Sequence, residues 1–283
     1  YRSRWAVSNG QCIVDIDKLK ELQTLARPEM KGTKEGEYYI GVDVARSAKT
    51  SNNASAIVVV RVRRDAKERV RELQAVNVVK LPNGLNFKQQ TVICKQMCAL
   101  YNAKAIVIDI NGLGKGLLDY MLDRNILDDG TELEPYDMIN TDYRSDYRDA
   151  KKLVYGIEAQ KNNTEMITNF INVVDGNILR ILEHFDVNKA LDIPDEDFMV
   201  SDVLPFLRTE NFIAEVQNIT VETIPGTGKL KVGQVVRADK DIYSAMIQVC
   251  WYVMTFCNDV LPDEDEDFAS FFSGFISQPK IKR

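Results

Sequence analysis

With 283 residues, 45% apolar and 28% charged, the chain has the make-up of a globular protein and enough length for one large domain or two small ones. No run approaches the roughly 18 apolar residues of a membrane span, and the opening Tyr1-Arg2-Ser3-Arg4-Trp5 lacks the apolar segment of a signal peptide, so a cytosolic setting without a membrane partner is expected. The net charge of −6 excludes a uniformly basic nucleic-acid surface but not local patches: Asp263–Asp267 is an acidic run, while Arg61, Arg63, Arg64, Lys67, Arg69 and Arg71 are clustered, as are Lys229, Lys231 and Arg237.

In chain order, residues 1–36 read as a linker with a short helix near Asp15–Leu25, closed by Pro28 and a Gly-Lys-rich stretch. The start at Tyr1, without an initiator methionine, suggests a fragment whose first segment joins an upstream domain. Three strands follow at 38–44, 56–62 and 73–81, the first two separated by a Ser51-Asn52-Asn53 turn. Their short connections favour an antiparallel meander. Asn86 is placed to cap a helix running to about Asn102, with Phe87, Cys94, Met97, Cys98 and Tyr101 on one face. The unbroken apolar run 105–108, ended by Asp109, fits a buried central strand. A short helix from Gly116 and a weak strand near Met138 come next. Residues 143–208, with a helix after Asn162-Asn163-Thr164, read as an insertion with no evident chemistry. A hairpin is expected between Ile213–Thr223 and Leu230–Val236, turning at Pro225-Gly226-Thr227-Gly228. Last, Ile242, Ala245, Met246, Val249, Cys250 and Val253 recur at helical spacing and must face the sheet.

This element order is that of an RNase H-like α/β fold: a mixed central sheet flanked by helices, spanning residues 37–260 and followed by an acidic tail at 261–283. It sets the opening strand beside the strand after the first long helix, so Asp43 and Asp109, each ending its strand, become neighbours. Adjacent buried carboxylates repel, and cations relieve that cost. Asp241 opens the last helix on its sheet-facing side, and Asp239 lies close by. An isolated acid there could simply be a helix cap, but the two strand-end acids favour a metal ligand.

Two glycine-rich stretches resemble phosphate loops and fail the GxxxxGK[ST] pattern. Lys115 is followed by Gly116 and Lys229 by Leu230, while Asp109 and Thr223 stand where the first glycine belongs. Gly112 and Gly114 are better read as a tight exit from the strand. The five cysteines form no CxxC pair and His184 is the only histidine, so a structural zinc site and an imidazole-activated nucleophile are both poorly served.

Gly-Val-Asp-Val-Ala (41–45), Val-Ile-Asp-Ile-Asn-Gly-Leu-Gly (107–114) and Asp-Lys-Asp-Ile-Tyr-Ser-Ala (239–245), with a hairpin before the last, resemble the C-terminal nuclease domain of the large terminase subunit of tailed bacteriophages, over roughly residues 37–258. Ile242 stands where that family more usually has a basic residue. The resemblance implies two divalent ions, Mg²⁺ or Mn²⁺, held by Asp43, Asp109 and Asp241 with Asp239 able to share, and cutting of concatemeric double-stranded DNA during genome packaging. It also implies an N-terminal ATPase domain absent from this chain, the small terminase subunit and portal protein as partners, and action in the cytoplasm of the infected bacterial host. Lys229, Lys231 and Arg237 become candidate DNA contacts. Resolvases and transposases share the acid logic. An actin-like or sugar-kinase-like ATP-binding domain would need glycines after Asp43, where Val44-Ala45-Arg46 stands. A DNA-gripping or motor-docking module with structural acids is the non-enzymatic alternative.

Overall fold

The β-branched runs that begin at Tyr38, Ala56 and Ala105 become the buried centre of one sheet, because their alternate side chains are apolar on both faces and need cover on both. The computed structural model describes residues 12–45, 54–141, 143–185, 200–226, 229–236 and 238–258. Its elements are α1 (Ile16–Glu21), β1 (Gln23–Leu25), β2 (Glu37–Asp43), β3 (Ala56–Arg64), β4 (Val70–Lys80), α2 (Phe87–Tyr101), β5 (Ala105–Asp109), α3 (Gly114–Leu122), β6 (Asn125–Ile126), β7 (Glu132–Leu133), β8 (Tyr136–Met138), β9 (Lys151–Ile157), α4 (Ala159–Asp175), β10 (Leu179–Leu182), α5 (Val200–Gln217), β11 (Ile219–Thr223), β12 (Leu230–Gln234) and α6 (Asp241–Phe256).

Eight strands form the main sheet in the order β1-β10-β4-β3-β2-β5-β9-β8. β2, β3 and β4 make the expected antiparallel meander, and β5 and β9 continue it in parallel from β2. Tyr38, Ile40, Val42, Ile57, Val59, Ile106 and Ile108 point to one face, where Cys94, Cys98 and Tyr101 of α2 and Leu117 and Met121 of α3 cover them. Tyr39, Ala56, Val58, Val60, Ala105 and Val107 point to the other, under α4, α5 and α6. Among the described residues no helix is long and apolar enough to cross a membrane.

Helix α6 lies against the middle of the second face, and the sequence provides for that closeness. A Cβ at Gly41 of β2 would stand 2.2 Å from the Ala245 carbonyl oxygen and 2.9 Å from Val249 Cβ, so only glycine lets the helix backbone rest on the strand. At its far end, Tyr155 of β9 packs on Tyr252 and Phe256 with ring centroids 4.7 and 5.2 Å apart. Asn86 caps α2 as expected, its side chain accepting from the Gln89 N–H while the Gln89 side chain accepts from the Asn86 N–H.

Three expectations need correcting. Residues 143–208, an insertion by the family resemblance, contribute strands to the main sheet: β9 lies between β5 and β8, and β10 pairs with β4. Residues 213–217 belong to α5 rather than to a strand. The apolar positions Phe212, Ile213 and Val216 follow helical spacing, and tertiary burial outweighs the β-branched composition that suggested a strand. The hairpin is accordingly shorter, Ile219–Thr223 against Leu230–Gln234. From Cys12 onward the supposed linker is built into the fold. Asp15 caps α1, Leu19 and Leu22 are buried in the second-face core, and β1 pairs with β10. The turn at 51–53, Arg237 and the acidic run 263–267 lie outside the described residues.

Candidate active site

Strand register alone assembles most of the site. Asp43 pairs with Ala56 of β3, and Ala56 pairs with Lys80 of β4. On the other side, Val42 pairs with Ile108 of parallel β5, which sets Asp109 beside Asp43. Side chains alternate along strands, and Gly41, Val107, Ala56 and Val78 belong to the α6 face. Asp109, Asp43, Ala56 and Lys80 therefore form one row across that face, spaced by roughly 4.8 Å per strand. Ala56 is the small member, and Asp241 at the start of α6 is brought to the same row, within 3.7 Å of the Lys80 ammonium and near the Ala54 backbone.

Each acid is oriented by the chain around it. Asp109 Oδ1 accepts from the backbone N–H groups of Asn111 at 3.0 Å and Ala159 at 3.3 Å, so the loop after β5 and the start of α4 both hold it. The loop itself depends on Gly112, at φ +63°, and Gly114, whose missing Cβ lets the start of α3 pass over the Asp109 carbonyl. The Ser244 side chain lies near enough to Asp43 to favour its ionised form. Burial, then repulsion from Asp241 and Asp109, pushes its carboxyl up to about 7, against the opposing pull of Lys240 and Ser244. Burial likewise lifts Asp241 to about 6, with Lys80 opposing and Asp239 adding to the rise.

Lys80 reaches into this group. Its Nζ is 2.6 Å from Asp239 Oδ2 and 3.7 Å from Asp241 Oδ2. The second distance is an ion pair without hydrogen-bond geometry, so Asp241 Oδ2 is left buried with no donor, as is Asp239 Oδ1. Neither aspartate caps α6: its N-cap is Lys240, which makes no side-chain cap bond. The cap comes instead from Glu215 of α5, a buried residue whose Oε2 accepts the Tyr243 N–H at 2.8 Å. Burial raises this carboxyl to about 7, with Asp241 and Asp239 adding to the rise while Tyr243 and Lys80 oppose it. Among the described residues no three Asp, Glu, His or Cys side chains close tightly enough to hold one ion as they stand. The acids share a face and a field, with a lysine ammonium among them.

The sequence reading thus named four of the acids and missed Lys80, Glu215 and Ser244. Ser244 lay within the quoted 239–245 motif, one helical turn beyond Lys240. Glu215 was legible as an acid among core-facing Phe212, Ile213 and Val216, had that stretch been read as helix. Lys80 carried no local signal, since only the pairing of β3 with β4 brings it to Ala56. Of the predicted DNA contacts, Lys229 lies just before β12 and Lys231 within it, exposed and directly across from Glu222. The basic stretch on β3 and β4 is largely engaged in ion pairs: Arg61 with Glu29, Arg64 with Glu37 and Arg69 with Asp65.

A β4-β3-β2-β5-β9 centre with an antiparallel meander, parallel continuation and helices on both faces defines an RNase H-like fold. The particular likeness is to large terminase nucleases. The nuclease of the large terminase from thermophilic phage G20c with bound magnesium aligns at a TM-score of 0.52 and 11% identity, covering 86% of this chain and 98% of that one. The same nuclease with bound cobalt gives 0.51 at 11% identity, with 86% and 98% covered. The HK97 bacteriophage large terminase aligns at 0.49 and 9% identity, covering 85% of this chain and 43% of the longer one. No protein-family model and no curated protein sequence matches the chain.

Proposed function

We propose that this chain is the metal-dependent endonuclease domain of a phage DNA-packaging terminase large subunit, cutting double-stranded DNA by phosphodiester hydrolysis. The observation that carries the reading is the placement of Asp43 and Asp109 side by side on the face that α6 covers, with Asp241 brought over the same row. Burial, and then the like charges of their neighbours, raises the Asp43 and Asp241 carboxyls, a cost that a binding site for hard cations offsets.

The donor set fits divalent ions of the Mg²⁺ or Mn²⁺ class. All candidate ligands are carboxylates, and two buried oxygens, Asp241 Oδ2 and Asp239 Oδ1, have no hydrogen-bond donor. Asp43, Asp109 and Asp241, with Asp239 able to share, are the residues that would hold two such ions. Bound there, such ions supply an attacking water of lowered pKa and stabilise the departing 3′-oxygen. The protein's part is orientation: Asn111 and Ala159 fix Asp109, and Glu215 fixes the helix that carries Asp241. No side-chain nucleophile is required.

In this reading DNA is held by its phosphates, with Lys229, Lys231 and Arg237 of the hairpin region as contacts. An N-terminal ATPase domain would belong to the same subunit. The small terminase subunit and the portal are partners in the host cytoplasm, and no membrane is involved. Plasmid cleavage in Mg²⁺, Mn²⁺ or EDTA tests the proposal. The expected result is metal-dependent nicking and linearisation, reduced about a hundred-fold or more in folded Asp43→Ala and Asp109→Ala variants. Equal cleavage by those variants would sink it.

A further inference from the structure

The role of Lys80 goes beyond the acid cluster, though it rests on the metal-site reading above. Lys80 is the last residue of β4 and pairs with Ala56 of β3, and its ammonium reaches Asp239 Oδ2 at 2.6 Å and Asp241 Oδ2 at 3.7 Å. The side chain is only 16% exposed, so this is no solvent-screened surface pair. It supplies one positive charge to the Asp239 and Asp241 end of a group that also contains Asp43 and Asp109, while Lys240, the cation that acts on Asp43, is exposed at the helix start.

We infer that Lys80 is a positioning residue that serves as the resident counter-cation of Asp239 and Asp241 and competes with divalent ions for them, so that its ammonium sets how tightly this nuclease holds metal. Asp241 Oδ2 faces Lys80 at 3.7 Å without a hydrogen bond, which leaves that oxygen open to a closer cation. A divalent ion drawing Asp241 toward Asp43 must work against the Lys80 charge, through repulsion and through loss of the ion pair. Release of the lysine then leaves it as a mobile cation beside the DNA backbone. A purely structural ion pair would stabilise the fold equally with and without metal; a competitor stabilises chiefly the metal-free protein.

Mn²⁺ binding, read by the loss of free-ion electron paramagnetic resonance signal, and melting temperature in EDTA and in Mn²⁺ separate these cases in the full chain. In Lys80→Met, Mn²⁺ affinity is expected to rise on the order of ten-fold, the scale of removing one nearby charge at an intermediate dielectric. The variant should melt below the parent in EDTA and recover most of the difference in saturating Mn²⁺. Lys80→Arg, which keeps the charge, should bind Mn²⁺ nearly as the parent does. Unchanged or weaker Mn²⁺ binding by folded Lys80→Met would overturn the inference, as would an equal melting deficit in both conditions. If Lys80→Met fails to fold, Lys80→Gln carries the same test with a polar head. Asp43→Asn serves as the control. If the parent binds no Mn²⁺, or binds it as well as Asp43→Asn does, the metal-site reading itself fails and the inference falls with it. If the parent binds Mn²⁺ through Asp43 and Lys80→Met gains nothing, only the Lys80 assignment fails.

Discussion

At the scale of single residues, three carboxyls hold protons that an unfolded chain would release. Asp43 rises from 3.8 to about 7, Asp241 from 3.8 to about 6 and Glu215 from 4.5 to about 7, burial leading in each case. Between the ordinary and the raised values the folded chain binds more protons than the unfolded one, so these groups make stability fall as pH rises through that window. In EDTA the melting temperature should therefore be higher at pH 5 than at pH 8. Asp43→Asn, which removes one titrating group facing Asp109, Asp241, Lys240 and Ser244, should flatten the slope. A melting temperature that climbs toward pH 8 would contradict the assignment. Glu215 adds a second, separable effect. Glu215→Ala leaves the Tyr243 N–H buried without an acceptor and should cost about 1–2 kcal/mol in urea denaturation, whereas Glu215→Gln keeps an acceptor oxygen and should lose less.

At the scale of elements, α6 is fixed at three points: Glu215 at its first turn, Gly41 beneath its middle and the Tyr155, Tyr252 and Phe256 cluster at its end. Gly41→Ala tests the middle point. A methyl group there meets helix backbone rather than a yielding side chain, so a loss of about 1–3 kcal/mol is expected, with Asp241 displaced and metal-dependent stabilisation reduced. Calorimetry with and without Mn²⁺ checks both. The elements best read from sequence were those whose pattern is local: the apolar strands, the Asn86-capped helix α2 and the 3.6-residue stripe of α6 all lie within a residue or a few of expectation. Strand β9 was missed because Lys151–Ile157 opens with two lysines, and only its pairing with β5 makes it central. The site divides the same way. Acids at strand ends are visible in the chain, but Lys80 arrives through strand pairing and Glu215 through helix packing.

At the scale of the whole molecule, the early residues are structural. Leu19 and Leu22 are buried, β1 extends the sheet edge and the Lys18 ammonium meets the Asp175 carbonyl oxygen at the end of α4. Removing residues 1–25 should expose part of the second-face core and lower the melting temperature by several degrees or more, since a single buried leucine contributes about 1.5–3 kcal/mol. A truncation with unchanged melting behaviour would return this stretch to the role of a tether. Binding to DNA through phosphates carries its own expectation: affinity for duplexes of unrelated sequence should be similar, and should fall steeply from low to physiological salt.

In the proposed reading, the row of Asp109, Asp43, Ala56 and Lys80 ties the metal site to the fold itself. The alternation that turns Asp43 toward α6 also turns Tyr38, Ile40 and Val42 toward α2. Sliding β2 as a whole by one residue against β3 and β5 would turn Asp43 toward α2 and Tyr38, Ile40 and Val42 toward α6, so the one register that buries the apolar residues is also the register that assembles the acids. Under the proposed function, a register slip would therefore cost the fold as well as the activity.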